Sequence, residues 1–156
     1  MTAQIAERII VGGKNISLYT NPLSLYLRQN KISFESPNTA NWRGYIGTWE
    51  IIESGGVERL YLVELSAHKT YLEIVGIPEV FPGFEKVFAH WFTGELRLPQ
   101  GNMLKYVHGG YASTYEYDLL IQVKQGVVLE RTVRKNERPP QTEHEKYLSL
   151  LDNDDA

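Results

Sequence analysis

The 156-residue sequence contains no cysteine. That absence removes disulfides, thiolate nucleophiles and thiolate metal sites, and it suits a reducing compartment without requiring one. No stretch approaches the roughly 20 consecutive apolar residues of a membrane-spanning helix. The opening Met1-Thr2-Ala3-Gln4-Ile5-Ala6-Glu7-Arg8 brings an early acid where a signal peptide needs an apolar run. A cytoplasmic protein with no membrane partner is therefore expected. Basic clusters are also missing: Arg131, Arg134, Lys135 and Arg138 come nearest, too few to neutralise a run of phosphates, so no nucleic-acid partner is expected.

Catalytic spacings are absent as well. There is no Gly-x-Ser-x-Gly and no His-Glu-x-x-His. His68, His90 and His108, with Glu50, Glu95 or Glu116, supply ligand types suited to zinc or iron, but no two histidines stand two or four residues apart. No metal is expected. The pairs Gly12-Gly13, Gly55-Gly56 and Gly109-Gly110 read as turns, because none has the strand-loop-helix setting of a phosphate cradle. No cofactor is expected either.

What the chain does have is aromatic residues, including ten tyrosines and three tryptophans, which favour sheets and binding surfaces. Its length fits one domain that buries roughly two-thirds of the surface of the unfolded chain. The net charge of −3 is unevenly placed: residues 137–156 hold six acids and two bases, which leaves 14 bases and 13 acids in residues 1–136. We read residues 1–136 as one β-rich domain and 137–156 as an acidic C-terminal tail.

Gly12-Gly13 joins two short strands between Arg8 and Tyr19. Asn21-Pro22 supplies an N-cap and a first-turn proline for a helix of about two turns carrying Leu23, Leu25, Tyr26 and Leu27. Residues 30–43 read as a loop with one short strand around Ile32 and Phe34. Tyr45 to Glu53 and Val57 to Ser66 form a hairpin about Ser54-Gly55-Gly56, with apolar residues on both faces. Thr70 to Val75 fits strand or helix, and a short helix is expected around Glu79. Lys86 to Leu98 alternates as a strand that Pro99-Gln100-Gly101 closes, and another begins at Met103. Tyr115 to Lys124 and Val127 to Arg134 form a last hairpin about Gln125-Gly126. Arg138-Pro139-Pro140 ends the domain. Thr142 with Glu145 resembles a capping box that opens a short helix, docked through Tyr147, Leu148, Leu150 and Leu151, with a frayed end from Asp152. The fold class expected is mainly β: an antiparallel curved sheet or open barrel of about 6–8 strands, one short N-terminal helix and a C-terminal helical tail.

The stretch from Lys105 to Asp118 gathers imidazole, phenols, hydroxyls and a carboxylate around a glycine pair. An acid/base or hydrolytic site would draw on His108, Tyr111, Ser113, Tyr115 and Glu116, but no spacing singles these out over a polar loop entering a strand. The candidate binding residues are Trp42, Arg43, Tyr45, His108, Tyr111, Tyr115 and Glu116, since Trp, Tyr and Arg combine large contact area with a polar handle.

Two resemblances follow from motifs. Gly47-Thr48-Trp49 resembles the Gly-x-Trp signature of the lipocalins, which implies an up-and-down barrel around a small apolar ligand; no Thr-Asp-Tyr accompanies it. More broadly, Asn21-Pro22-Leu23, Trp42-Arg-Gly-Tyr-Ile-Gly-Thr-Trp-Glu-Ile, Leu60-Tyr-Leu, Trp91-Phe-Thr-Gly-Glu-Leu, Pro99-Gln-Gly, Tyr106-Val-His-Gly-Gly-Tyr-Ala-Ser-Thr-Tyr-Glu and Gly126-Val-Val together resemble a family of small uncharacterised bacterial proteins. That resemblance implies a bacterial or mobile-element origin and carries over no activity. The functional expectation is a non-catalytic protein-binding module of the immunity, toxin-neutralising or defence-modulating kind. The alternative is a small-ligand binder or hydrolase-like enzyme using the His108–Glu116 loop.

Overall fold

A computed structural model describes residues 2–137 and 142–154. The Arg138-Pro139-Pro140 break and the last two residues of the acidic end lie outside the described residues. The strands are β1 (Glu7–Val11), β2 (Lys14–Leu18), β3 (Tyr45–Ser54), β4 (Val57–His68), β5 (Ile74–Val75), β6 (Val87–Phe88), β7 (Gly94–Lys105), β8 (Thr114–Lys124) and β9 (Val127–Lys135). The helices are α1 (Ser24–Gln29), α2 (Ile77–Val80) and α3 (Glu143–Asp154).

All nine strands join one sheet, ordered β2-β1-β3-β4-β9-β8-β7, with β5 and β6 paired to β4 off this path. The glycine-centred hairpins form as the sequence implies. Gly12 and Gly13, like Gly55 and Gly56, take positive φ, the geometry that matches the twist of a two-residue hairpin loop. Two expectations change. The sheet is mixed rather than antiparallel: Arg8, Ile9 and Ile10 pair in parallel with Thr48, Trp49 and Glu50. The chain can return in the same direction because β2 and α1 form a connection between β1 and β3. There are also nine strands rather than 6–8, because the two-residue strands β5 and β6 add to β4.

The sheet curls without closing. Its terminal strands approach where the Tyr19 N–H donates to the Arg97 carbonyl at 2.8 Å and the Arg97 N–H donates to Thr20 Oγ1 at 3.0 Å. This open, partly parallel sheet is not the up-and-down barrel that Gly47-Thr48-Trp49 implied. Inside the curl lie Ile9, Leu18, Trp49, Leu60, Leu62, Leu96, Leu98 and Ile121, all fully buried.

Other differences are local. The strand expected from Lys86 to Leu98 breaks after Phe88, where the Phe92 N–H turns back to the Ala89 carbonyl, and β7 restarts at Gly94. Pro99 does not end β7, which runs on to Lys105 through shifts of register after Gln100 and after Met103. Proline is tolerated there because β7 is the last strand of the path. Residues 32–34 form no strand. The expected fold class names two helices; with the short one expected around Glu79 there are three among the described residues. α2 stands at the expected Glu79, and α3 extends to Asp154. Its Tyr147, Leu148, Leu150 and Leu151 are exposed rather than docked. Among the described residues no helix is long and apolar enough to cross a membrane.

Candidate functional site

The turn Trp42-Arg43-Gly44 leads into β3 and points two neighbouring side chains to different environments. Gly44 has φ +77°, and a Cβ there would stand 2.5 Å from the Glu35 carbonyl, so only glycine fits. The main chain is held on several sides. The Trp42 N–H donates to Gln4 Oε1 at 2.8 Å, Ser36 Oγ donates to the Trp42 carbonyl, and the His68 N–H donates to the Gly44 carbonyl at 2.8 Å. On this fixed backbone the Trp42 side chain is 55% exposed, whereas Arg43 turns inward.

Arg43 meets Glu7, an acid buried completely at the start of β1. Arg43 Nη2 and the Gly47 N–H donate to Glu7 Oε2 at 2.8 and 2.6 Å, and Trp49 Nε1 donates to Glu7 Oε1 at 3.2 Å. Burial pushes the Glu7 carboxyl above its ordinary range, opposed by the Arg43 charge and by these three donors. The guanidinium carbon of Arg43 also lies 5.3 Å from the centroid of the Tyr45 ring. Arg43 Nε and Nη1 are buried and find no hydrogen-bond partner among the described residues.

The loop after β7 comes to the same end of the sheet. Arg97 on β7 reaches beneath it, donating from Nη1 to the Tyr111 carbonyl at 2.6 Å and from Nη2 to the Ser113 carbonyl at 2.9 Å. Its Nε pairs with Asp118 at 3.0 Å. Burial would raise the Asp118 carboxyl, but hydrogen bonds from Asn136, Arg134 and Arg97 outweigh it and hold the group below its ordinary value. Ser113 Oγ accepts the Val107 N–H at 2.9 Å and closes the loop on itself.

Tyr111 points from this loop into the body. Its hydroxyl donates to Asn21 Oδ1 at 2.6 Å, and its ring stacks on Tyr19 with centroids 5.0 Å apart. Asn21 therefore does not cap α1, as its sequence position implied; α1 has no side-chain cap. Tyr19 meets the Tyr115 hydroxyl at 3.0 Å, and Arg97 lies over the Tyr19 ring at 5.2 Å. Burial pushes the Tyr45 and Tyr111 phenols up to about 12, and burial with the Tyr115 hydrogen bond raises Tyr19 further. These phenols keep their protons at neutral pH and serve as hydrogen-bonding groups within the network.

Beside Trp42 opens a hollow of about 330 Å³. α1 contributes Ser24, Leu27 and Arg28, the segment after it Phe34, and the turn Trp42 and Arg43. The end of α1 shapes this wall. Lys31 takes φ +55°, and the Ile32 and Lys31 N–H groups return to the Leu27 and Arg28 carbonyls at 2.9 and 3.3 Å, a Schellman closure that directs the chain back across the helix.

The seven candidate residues thus divide. Trp42, Arg43 and Tyr45 share the hollow, while Tyr111 and Tyr115 belong to the internal network beside it. His108 is exposed at the loop tip, its ring edge-on to Tyr106 at 4.6 Å. Glu116 stands apart and accepts the Asn102 N–H at 2.7 Å. Among the described residues no hydrogen bond joins Glu116 to His108, and no three His, Asp or Glu side chains gather as metal ligands. The sequence reading missed Glu7, Tyr19, Arg28, Arg97 and Asp118. One signal for Glu7 was present: it precedes Ile9 by two residues and so shares the core face of its strand. Comparison with family models, curated proteins and solved structures finds no match to this chain.

Proposed function

We propose that this protein is a non-catalytic binding module that recognises another protein through the hollow between α1 and the Trp42 turn. The observation that carries this reading is the exposed Trp42, on a backbone fixed by Gln4, Ser36 and Gly44, standing at the mouth of a hollow that Leu27, Arg28 and Phe34 line. Rigid aromatic anchors beside an arginine suit protein recognition, because little conformational freedom is lost on binding. Leu27 and Phe34 offer apolar contact, and Arg28 favours an acceptor. The complementary feature is an apolar side chain next to a carboxylate or a main-chain carbonyl on the partner. A small module of this design suits the neutralisation of a toxin or the modulation of a defence system.

The test is quantitative affinity capture from the cells that make the protein, comparing the unaltered chain with Trp42→Ala and His108→Ala. A stoichiometric protein retained by the unaltered chain and by His108→Ala, but lost with Trp42→Ala, supports the reading. Equal retention by all three contradicts it. The hollow is at the small end of ligand-cavity volumes, so a small molecule is the competing occupant. A bound metabolite seen by native mass spectrometry and displaced by Trp42→Ala would favour it.

A further inference from the structure

β9 pairs with β8 along its length but meets β4 only at its start. Val127 pairs with Arg59 of β4, but from Glu130 to Lys135 the described residues of β9 pair with β8 alone. The Asn136 N–H donates to the Glu116 carbonyl at 2.9 Å. By the alternation of an antiparallel ladder, Arg134, Thr132 and Glu130 also turn their main-chain groups toward β8. Arg131, Val133 and Lys135 therefore turn theirs outward. Val133 lies opposite Leu119, which lies opposite the buried Leu98, so it continues a core-facing row, yet it is 68% exposed. A long edge strand with an uncovered apolar residue is a template for another strand.

We propose that the occupant of this edge is β9 of a second copy of the chain, joined antiparallel about a two-fold axis at Thr132. The charges select that register. A two-fold axis perpendicular to the sheet places one residue of β9 opposite itself. Centring on Glu130 sets carboxylate against carboxylate, and centring on Arg131 or Val133 leaves Glu130 without an opposite charge; Arg131 itself is held by Glu58 of β4 at 2.7 and 2.6 Å. Centring on Thr132 opposes Thr132 to itself, Glu130 to Arg134 and Arg131 to Val133. Opposite charges and threonine pairs directly across a ladder are favourable, and like charges are not. The interface is isologous and closes at two copies.

Thr132 is then a non-hydrogen-bonded pair, with Cα atoms about 4.5 Å apart, within the range a disulfide spans. Because the chain has no cysteine, Thr132→Cys introduces a single thiol. Sedimentation of the full chain at high-micromolar concentration should give twice the 17.9 kDa chain mass. Oxidised Thr132→Cys should become a covalent dimer faster than Val133→Cys. Val133→Pro removes an outward N–H while sparing the β8 ladder, and should halve the mass with the circular dichroism spectrum unchanged. A monomeric unaltered chain overturns the proposal, as does a dimer with no preferential Thr132→Cys crosslink. If Val133→Pro does not fold, the cysteine comparison alone decides.

Discussion

The Glu7 carboxylate lies 2.6 Å from the main-chain nitrogen of Gly47. A Cβ added at Gly47 would stand 2.7 Å from that carboxylate and 3.0 Å from the Trp49 indole nitrogen. The Gly-x-Trp spacing in this chain is therefore explained by a buried acid: glycine makes room for the carboxylate, and the tryptophan two residues on donates to it. Gly47→Ala should cost about 1–3 kcal/mol through overpacking. Urea unfolding checks this, with a lower midpoint at an unchanged slope.

Arg43→Leu should be more damaging, at about 3–5 kcal/mol, because it leaves a buried carboxylate without its cation. Its cost should also depend on pH. Glu7 already titrates above its ordinary 4.5 in the folded chain because of burial, and losing Arg43 raises it further. A raised carboxyl binds more protons in the folded state than in the unfolded state, so stability falls as pH climbs above 4.5. The variant should come closest to the unaltered protein near pH 4.5 and diverge from it toward pH 8, as thermal unfolding across that range would show.

Asp118 has the opposite sign. Its folded value lies below the ordinary 3.8, so its stabilising contribution is complete above that value and is lost as pH falls through the depressed one. Arg97→Met should cost about 2 kcal/mol and, by freeing the Tyr111 and Ser113 carbonyls, should loosen the loop. Hydrogen exchange at the Val107 amide, which Ser113 Oγ holds, should speed up at neutral pH more than exchange in β3.

Lys31 carries left-handed strain at the end of α1. Lys31→Gly should stabilise the chain by on the order of 1 kcal/mol without altering the Trp42 hollow. A higher unfolding midpoint with equal partner capture would bear this out.

These residues also show what the sequence makes legible. Hairpins at Gly12-Gly13, Gly55-Gly56 and Gln125-Gly126 can be read locally, because a turn's backbone requirement is written in the turn itself. The parallel pairing of β1 with β3 is not, since it depends on a return path through β2 and α1. Pro99 hides the length of β7 because its meaning depends on whether the strand lies at an edge. At the site, Trp42, Arg43 and Tyr45 stand out by type and proximity in sequence. Glu7 joins them from 36 positions away, and the aromatic loop that looks most like chemistry is held by Arg97 and Asp118 from below. His108 amid tyrosines marks a loop tip, while Tyr111 secures that loop to the body.

The binding reading is tested most directly by placing a photo-crosslinking residue at Arg28, on the rim of the hollow, and irradiating the cells that make the protein. The account predicts one discrete crosslinked protein at that position, absent when Trp42→Ala is combined with it and unaffected by His108→Ala. A crosslink that survives Trp42→Ala, or none at Arg28 when a crosslinker at His108 captures a partner, would contradict it.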